Sequence, residues 1–278
     1  MITVRRMTMD DVSLGMKLSA QAGWNQTEAD WKRFIELGPE GCFAGELDGY
    51  SVGTTTTCVF RNTAWIAMVL VDVNARGKGV GTTLLKHAIE YLEGRRVDTI
   101  RLDATSLGRP IYEKLGFTPD YGLARFEGTA PKSKEGSDVV EATAEMHSDL
   151  IEFDKLMTGR ERVKMLGRLF DEFPQETRIV RRDGKIEGFL TMRPGANAVQ
   201  IGPCTATPHA GPALLYYALN SCAGKPVFID VPLDNIPAVE VVKAAGLTIQ
   251  RQFTRMSRGQ KTSDNVHTSW ASSGAEKG

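Results

Sequence analysis

The 278-residue sequence lacks an excess of either charge, with 34 basic residues against 34 acidic ones. No Lys/Arg block stands out either, so non-specific nucleic-acid binding has no electrostatic support. No apolar run approaches the roughly 20 residues that a membrane span needs. The opening MITVRRMTMDD has neither the apolar stretch nor the cleavage site of a secretory leader. Cysteine is scarce: Cys42, Cys58, Cys204 and Cys222 are scattered, make no CxxC pair and have no histidine pair nearby. That pattern argues against disulfides and a metal centre, and for reduced, buried thiols. The expectation is a cytoplasmic protein without metal, nucleic-acid or membrane partner, its oligomeric state open.

What is present is an ordinary globular composition and enough length for one large domain or two of average size. A short strand, ITVRR, opens the chain. Helix starts follow at Thr8, with Asp10 and Asp11 behind it, and at Thr27, with Asp30 three residues on. Residues 42–73 read as strands rich in Val, Thr, Phe and Cys, turned at LDGY (47–50) and FRNT (60–63). A helix with the apolar stripe Leu84, Leu85, Ala88, Ile89 and Leu92 comes next. The strand TIRLD, the short helix RPIYEKLG (109–116) and a strand over Phe117–Phe126 close this unit.

The same order then recurs. RIVRRDGKIEGFLTMR reads as a hairpin and AVQIGPC as a strand. Ala213–Ala223 reads as a helix, VFIDVP as a strand, IPAVEVVKAAG as a helix and TIQRQFTRM as the last strand. IYEKLGF (111–117) matches EVVKAAGL (240–247), and each follows a strand ending in aspartate, Asp103 or Asp230. This is a duplicated α/β (α+β) unit: residues 1–128, a linker over 129–138, a second copy over 139–257 and a loose polar tail over 258–278, into which Trp270 introduces one docking point.

In the first copy, between the strands of 42–73 and the helix that follows, lies NARGKGVGTTLL (74–85), with glycine at every second position directly before a helix. Glycine costs about 1 kcal/mol in a helix interior, so bare backbone must serve a purpose here. A Walker A loop would need a lysine after its last glycine, and a dinucleotide fingerprint would need GxGxxG; neither fits. A tight strand-to-helix turn without ligand accounts for one or two of the glycines. The segment Arg76-x-x-Gly79-x-Gly81 between strand and helix resembles the acetyl-CoA motif of the GCN5-related N-acetyltransferase (GNAT) family. TSLGRPIYEKLGF (105–117) resembles the family's later motif, with Tyr112, Lys114, Gly116 and Phe117 in register, Thr105 for its Asn and Gly108 for its Ala.

The resemblance implies two tandem GNAT-like units, each a mixed, mostly antiparallel sheet flanked by helices, with acetyl-CoA as co-substrate. Independently of it, a helix N-terminus offers unpaired N–H groups and partial positive charge to a diphosphate, and missing Cβ atoms let phosphates approach. The expected cofactor contacts are Val71, Val73, Arg76, Gly77, Lys78, Gly79, Val80, Gly81 and Thr82. In the second copy Ala206 replaces the arginine, His209 the central glycine, and Pro208 removes a donor, so one active site is expected, in the first half.

The family's direct-transfer mechanism implies a β-strand N–H, from Val69 or Leu70, polarising the thioester carbonyl. Tyr112 is then either donor to the leaving thiolate or a packing residue of its short helix. Asp103 is either the base that accepts the amine's proton or a cap of the next turn, and Asp72 is a weaker candidate. His87, on the solvent face of its helix, and His209 are given no catalytic role. AGWNQT (22–27) stands where the family selects substrate: Trp24 as pocket wall or staple, Asn25 as substrate contact or cap. Arg193, in the glycine-rich segment 193–203, would face an anionic group. The expected activity is acyl-CoA-dependent N-acetylation of a small-molecule amine; the alternative is an acyl-CoA sensor whose second copy is regulatory.

Overall fold

The computed structural model describes residues 1–132, 138–262 and 264–275. The first unit runs β1 (Ile2–Arg6), α1 (Val12–Gln21), α2 (Glu28–Leu37), β2 (Cys42–Leu47), β3 (Tyr50–Phe60), β4 (Thr63–Val71), α3 (Val80–Gly94), β5 (Thr99–Ala104), α4 (Arg109–Lys114) and β6 (Thr118–Thr129). The second repeats it: β7 (Val139–Glu141), α5 (His147–Thr158), α6 (Val163–Glu172), β8 (Thr177–Arg182), β9 (Lys185–Arg193), β10 (Val199–Ala206), α7 (Ala210–Ser221), β11 (Pro226–Pro232), α8 (Ile236–Ala244) and β12 (Thr248–Gly259). A short β13 (Ser269–Ala271) follows.

Local chemistry sets these bounds. Thr27 and Asp30 form a reciprocal cap on α2, the Asp30 carboxylate accepting from the Thr27 N–H at 2.9 Å. The hairpin turns use the left-handed region at Asp48 (φ 52°), Arg61 (φ 57°) and Asp183 (φ 50°). α7 begins at Ala210 rather than at the expected Ala213, because Thr207 Oγ1 accepts from the Ala210 N–H at 3.3 Å and caps the extra turn.

Among the described residues, all thirteen strands join one sheet, in the order β1-β2-β3-β4-β5-β12-β6-β11-β10-β9-β8-β7, with β13 on β10. The two halves exchange their last strands. β12, from the second half, lies antiparallel between β5 and β6, and β6 in turn pairs with β11. Two salt bridges mark the exchange with a pseudo-symmetric pattern: Arg255 on β12 holds both oxygens of Asp103 on β5 at 2.8 Å, and Arg125 on β6 holds both oxygens of Asp230 on β11 at 2.7–2.8 Å. All four side chains are buried, so each half supplies the counter-ion for the other's aspartate.

α3 packs its Leu84, Leu85, Ala88, Ile89 and Leu92 on one sheet face, with Ile66, Ile100 and Leu102 beneath. α1 and α2 cover the other face through Leu18, Trp31, Phe34 and Ile35. The second half closes over that face. Arg33 of α2 pairs with Asp30 at 2.8 Å and with Glu172 of α6, and Arg168 of α6 reaches Glu36 at 2.6 Å.

The end of the chain differs from its composition. The stretch read as a loose tail docks: Trp270, Ser272 and Ser273 are all buried, and β13 pairs with β10. Half of the expected linker, residues 133–137, lies outside the described residues, as do residue 263 and residues 276–278. Thr129 itself is the last residue of β6.

Candidate cofactor and acceptor site

The site begins with a defect in β4. Thr54 pairs with Leu70 and Thr56 with Ala67, so Met68 and Val69 together oppose Thr55. This β-bulge holds Met68 at φ 52°, a conformation few non-glycine residues adopt, and the Thr54 hydroxyl pins it by donating to the Met68 carbonyl at 2.9 Å. A bulge bends the strand that carries it. β4 and parallel β5 pair only from Thr63↔Thr99 to Trp65↔Arg101; beyond that rung the strands separate. The result is a cleft with the bulge on one wall and the end of β5 on the other. The bulge was not legible in the sequence, where Thr54–Thr57 reads as an ordinary β-branched run.

At the end of β4 the chain passes through a short 3-10 turn, Val73–Ala75, into the glycine segment. Gly77 (φ 74°) and Gly79 (φ 87°) both take left-handed backbone, and Gly79 is the N-cap of α3. Gly81 has helical backbone; a Cβ there would lie 3.4 Å from Val71 Cγ2. The first amide to donate into the helix is Thr83, to the Gly79 carbonyl at 3.0 Å. Among the described residues, no backbone N–H from Gly77 to Thr82 donates a hydrogen bond. Arg76 folds back, its Nε donating to the Val71 carbonyl at 3.2 Å, and the Lys78 side chain is exposed. Val73 N–H donates to Gln21 Oε1 at 3.3 Å, a bond that ties this turn to α1.

The equivalent place in the second half is filled by the chain itself. β10 and β11 also separate, after Ile201↔Ile229. β13 enters that gap, pairing with β10 at Cys204 and Thr205, and the Ser272 N–H donates to the Asp230 carbonyl at 2.7 Å. The Trp270 indole lies on Gly211, so closely that a Cβ there would come within 1.9 Å of the ring, and its Nε1 donates to the Ala206 carbonyl at 3.2 Å. The Gly211 amide donates to the Thr207 carbonyl and Pro208 has no N–H to offer. A helix start with its amides taken and an indole on its glycine cannot cradle a phosphate.

Tyr112 stands on α4 with its ring edge-on to Phe117 at 6.1 Å. The ring lies over Gly108, where a Cβ would come 2.8 Å from Cε2, so glycine replaces the family's alanine to make room. Burial pushes its phenol up to about 12. Thr105 caps α4 by accepting from the Gly108 N–H at 3.3 Å.

Several sequence-proposed residues have other duties. Asp103 has both oxygens on Arg255 and its side chain is 1% exposed, so it is the counter-ion of that guanidinium. The matching Asp230–Arg125 pair of the half that lacks the glycine loop carries the same structural role. Asp72 accepts from Lys17 at 2.8 Å, from the Asn74 N–H at 3.0 Å and from Gln21, and those bonds, Lys17 foremost, hold it down at about 2. Asn25 is buried under the β9–β10 connection: its amide donates to the Ala198 carbonyl, and its oxygen accepts from the Asn197 and Ala198 amides at 2.9 and 3.0 Å. It is therefore a clasp between the halves, not a substrate contact. The Trp24 carbonyl accepts from Asn197 Nδ2 at 2.9 Å while its ring packs with the α1–α2 core. Arg193 lies beside this clasp, but it meets Asp30 and the Ser273 carbonyl. His87 is half-buried, its ring against Phe43 at 4.5 Å, rather than on the solvent face.

No group of three or more His, Cys, Asp or Glu is placed to hold a metal among the described residues. All four cysteines are free and buried, and burial pushes the Cys42 thiol up to about 12. No helix is long and apolar enough to cross a membrane among the described residues.

Two stretches of the chain match family models: residues 14–117 that of the acetyltransferase (GNAT) family, and residues 150–271 that of an acetyltransferase (GNAT) domain. YitH of Bacillus subtilis, an uncharacterized N-acetyltransferase, is 24% identical over 81% of this chain and 80% of its own. A candidate acetyltransferase from Pyrococcus horikoshii has the same fold, with TM-score 0.85 and 24% identity over 100% of this chain and 96% of its own. A tandem GNAT protein from the clavulanic acid biosynthesis pathway superposes with TM-score 0.67 and 15% identity over 95% of this chain and 100% of its own.

Proposed function

Since this chain belongs to the GCN5-related N-acetyltransferase family in both of its halves, we propose that its first half transfers an acetyl group from acetyl-CoA to the amine of a small molecule in the cytoplasm. The observation that carries the reading is the row of undonated amides from Gly77 to Thr82 on one side of the chain's pseudo-symmetry, against the plugged helix start at Gly211 on the other. Six N–H groups at a helix N-terminus, opened by two left-handed glycines, fit the diphosphate of CoA.

Acetyl-CoA supplies the activated thioester; the protein supplies the rest. The amides of residues 77–82, with Arg76 and Lys78, hold the diphosphate. Backbone of Val71 and Val73 lines the pantetheine arm, Val73 exchanging its bond to Gln21 for the ligand. The bulge at Met68–Val69 presents a Val69 or Leu70 N–H to the thioester oxygen, an oxyanion-hole role. Tyr112 stays protonated and donates a hydrogen bond to the leaving sulfur. The second half, clasped to the α1–α2 segment through Asn25, encloses the acceptor side and favours a small molecule over a protein surface.

Neither candidate carboxylate serves as base: Asp103 is locked on Arg255, and Asp72 is too weakly basic. That observation favours the second reading, an acyl-CoA sensor, over a transferase with a dedicated base. An alkyl amine near 10.4 is neutral in only about 0.04% of molecules at pH 7, so a transferase of this design takes its acceptor from that fraction and loses the proton to water. The test is calorimetric titration with acetyl-CoA followed by thiol release over an amine panel. One CoA per chain and release with at least one amine is the expected result. Binding with no release for any amine establishes the sensor.

A further inference from the structure

A cavity of about 380 Å³ lies between the halves, on the sheet face that carries α1 and α2. Its floor is Phe60, Thr63, Trp65 and Arg101; its roof is the α5–α6 connection (159–162) with Thr262 and Asp264. That volume suits a molecule of amino-acid size.

The cavity gathers polar atoms that nothing satisfies. Trp65 Nε1, Arg101 Nε, Arg160 Nε, Arg160 Nη1 and Thr262 Oγ1 are all buried and have no hydrogen-bond partner. Buried donors in native proteins are nearly always paired, so a cluster of orphans around one void marks a place where something else supplies acceptors. Four of the five atoms are N–H donors, and two of the side chains are cations.

The charges point the same way. Arg255 is matched by Asp103, Arg162 by Asp154 at 2.6 Å, and Arg101 by Asp264 at 2.8 Å and Asp120 at 3.1 Å. Glu161 is taken by Arg61 and Lys155, both at 3.0 Å. Arg160 forms no salt bridge or hydrogen bond through its side chain among the described residues, although Asp264 attracts it from farther off. The loop itself is fixed, with the Arg160 N–H on Thr158 Oγ1 at 3.2 Å. A guanidinium without a salt bridge beside orphan donors is arranged for an anion, and the walls beside it, Phe60 and Trp65, are aromatic.

We propose that this cavity binds a small carboxylic acid with an apolar body, its carboxylate on Arg160 and Arg101 and its body against Phe60 and Trp65. Trp65 and Arg101 form the last rung before β4 and β5 separate. Val69 lies four residues further along β4, about 13 Å away at the usual strand rise. A ligand that carries an amine at the end of its body opposite the carboxylate therefore has that amine directed along β4 towards the bulge, which makes it an acceptor; one without such an amine is an effector. Only the acceptor arm rests on the transferase reading.

The probes are phenylacetate, 4-(2-aminoethyl)phenylacetate and phenethylamine, titrated into the full-length chain and followed by tryptophan fluorescence and calorimetry. The two carboxylates bind and phenethylamine does not. Arg160→Gln weakens carboxylate binding by about tenfold or more, as expected for a charge-assisted pair, while acetyl-CoA affinity stays at the wild-type value. Without probe, Arg160→Gln still melts cooperatively, because Arg101 and Tyr121 continue to hydrogen-bond Asp264. Thr262→Val, a gentler change, also weakens the carboxylates. Thiol release with 4-(2-aminoethyl)phenylacetate identifies the acceptor source, and a change in turnover by phenylacetate without competition identifies the effector source; either supports the site. Equal affinity of wild type and Arg160→Gln, equal binding of phenethylamine, or no binding of either carboxylate at millimolar concentration leaves the cavity to water and overturns the proposal. Acetyl-CoA binding is read separately, so its loss would refute the cofactor reading alone.

Discussion

Replacing Tyr112 with Phe removes one hydroxyl and tests what that hydroxyl does. The phenol is pushed up to about 12 by burial, while a thiol lies near 8.5. The gap is about 3.5 pKa units, and at about 1.4 kcal/mol each it makes full proton transfer to the thiolate uphill by about 5 kcal/mol. Tyr112 therefore stabilises the leaving sulfur as a hydrogen-bond donor and keeps its proton. A bond to a charged group contributes about 1.5–3 kcal/mol, so the variant should lose about 10- to 100-fold in kcat with acetyl-CoA affinity spared. The assay is thiol release with any amine that supports turnover, followed from pH 7 to pH 10. Because the phenol stays protonated throughout, the ratio of wild-type to variant rates should not change across that range. Unchanged kcat would remove Tyr112 from the mechanism. A ratio collapsing above about pH 9 would mean that the phenol ionises there and that the reasoning from burial is wrong.

Two further outcomes follow from the shared sheet. Residues 1–132 produced alone should fail to give a cooperatively folding monomer, since β12 is missing between β5 and β6 and the buried Asp103 loses Arg255; a monomer by gel filtration with a sharp melt near that of the full chain would contradict the exchange. Asp264 provides an acid test. Burial alone would raise its carboxyl, but Arg160, Arg101 and Arg255 overwhelm that and hold it far below the usual range. Its contribution is thus complete above the unfolded value near 3.9 and fades as pH falls through the folded one. Asp264→Asn should melt well below wild type at pH 7, with the gap constant down to about pH 5 and narrowing only as pH falls below about 4; a gap that shrinks above pH 5, or does not shrink below pH 4, would refute the assignment.

The glycine segment, the capping boxes and the hairpin turns were legible because each is a local device whose residues lie within a few positions of one another. So was the duplication, since equivalent helices carry similar stripes. The strand exchange was not: β6 and β12 have the same alternation whichever β5-like neighbour they join, and pattern fixes a face, not a partner. Arg101 and Asp103 alternate with Ile100 and Leu102 along β5, and the face that carries them is covered by the second half. The same blindness made Asp103 look like a base and Asn25 a substrate contact, because their partners, Arg255 and Asn197, are more than a hundred residues away. The tail looked loose because serine-rich composition carries no apolar pattern. What docks it is one indole and a strip of backbone pairing.

The backbone of the glycine segment both starts α3 and faces the diphosphate, and Gly81 separates these two functions. Gly81 has helical backbone, so Gly81→Ala should stabilise α3 by up to about 1 kcal/mol while placing a methyl group where phosphate oxygens must approach. Gly79, at φ 87°, pays about 1–2 kcal/mol for any Cβ. Measured by calorimetry and thermal melting together, Gly81→Ala should melt at or above the wild-type temperature yet bind acetyl-CoA about tenfold or more weakly, and Gly79→Ala should lose both. Wild-type affinity in both variants would contradict the claim that these amides grip the diphosphate.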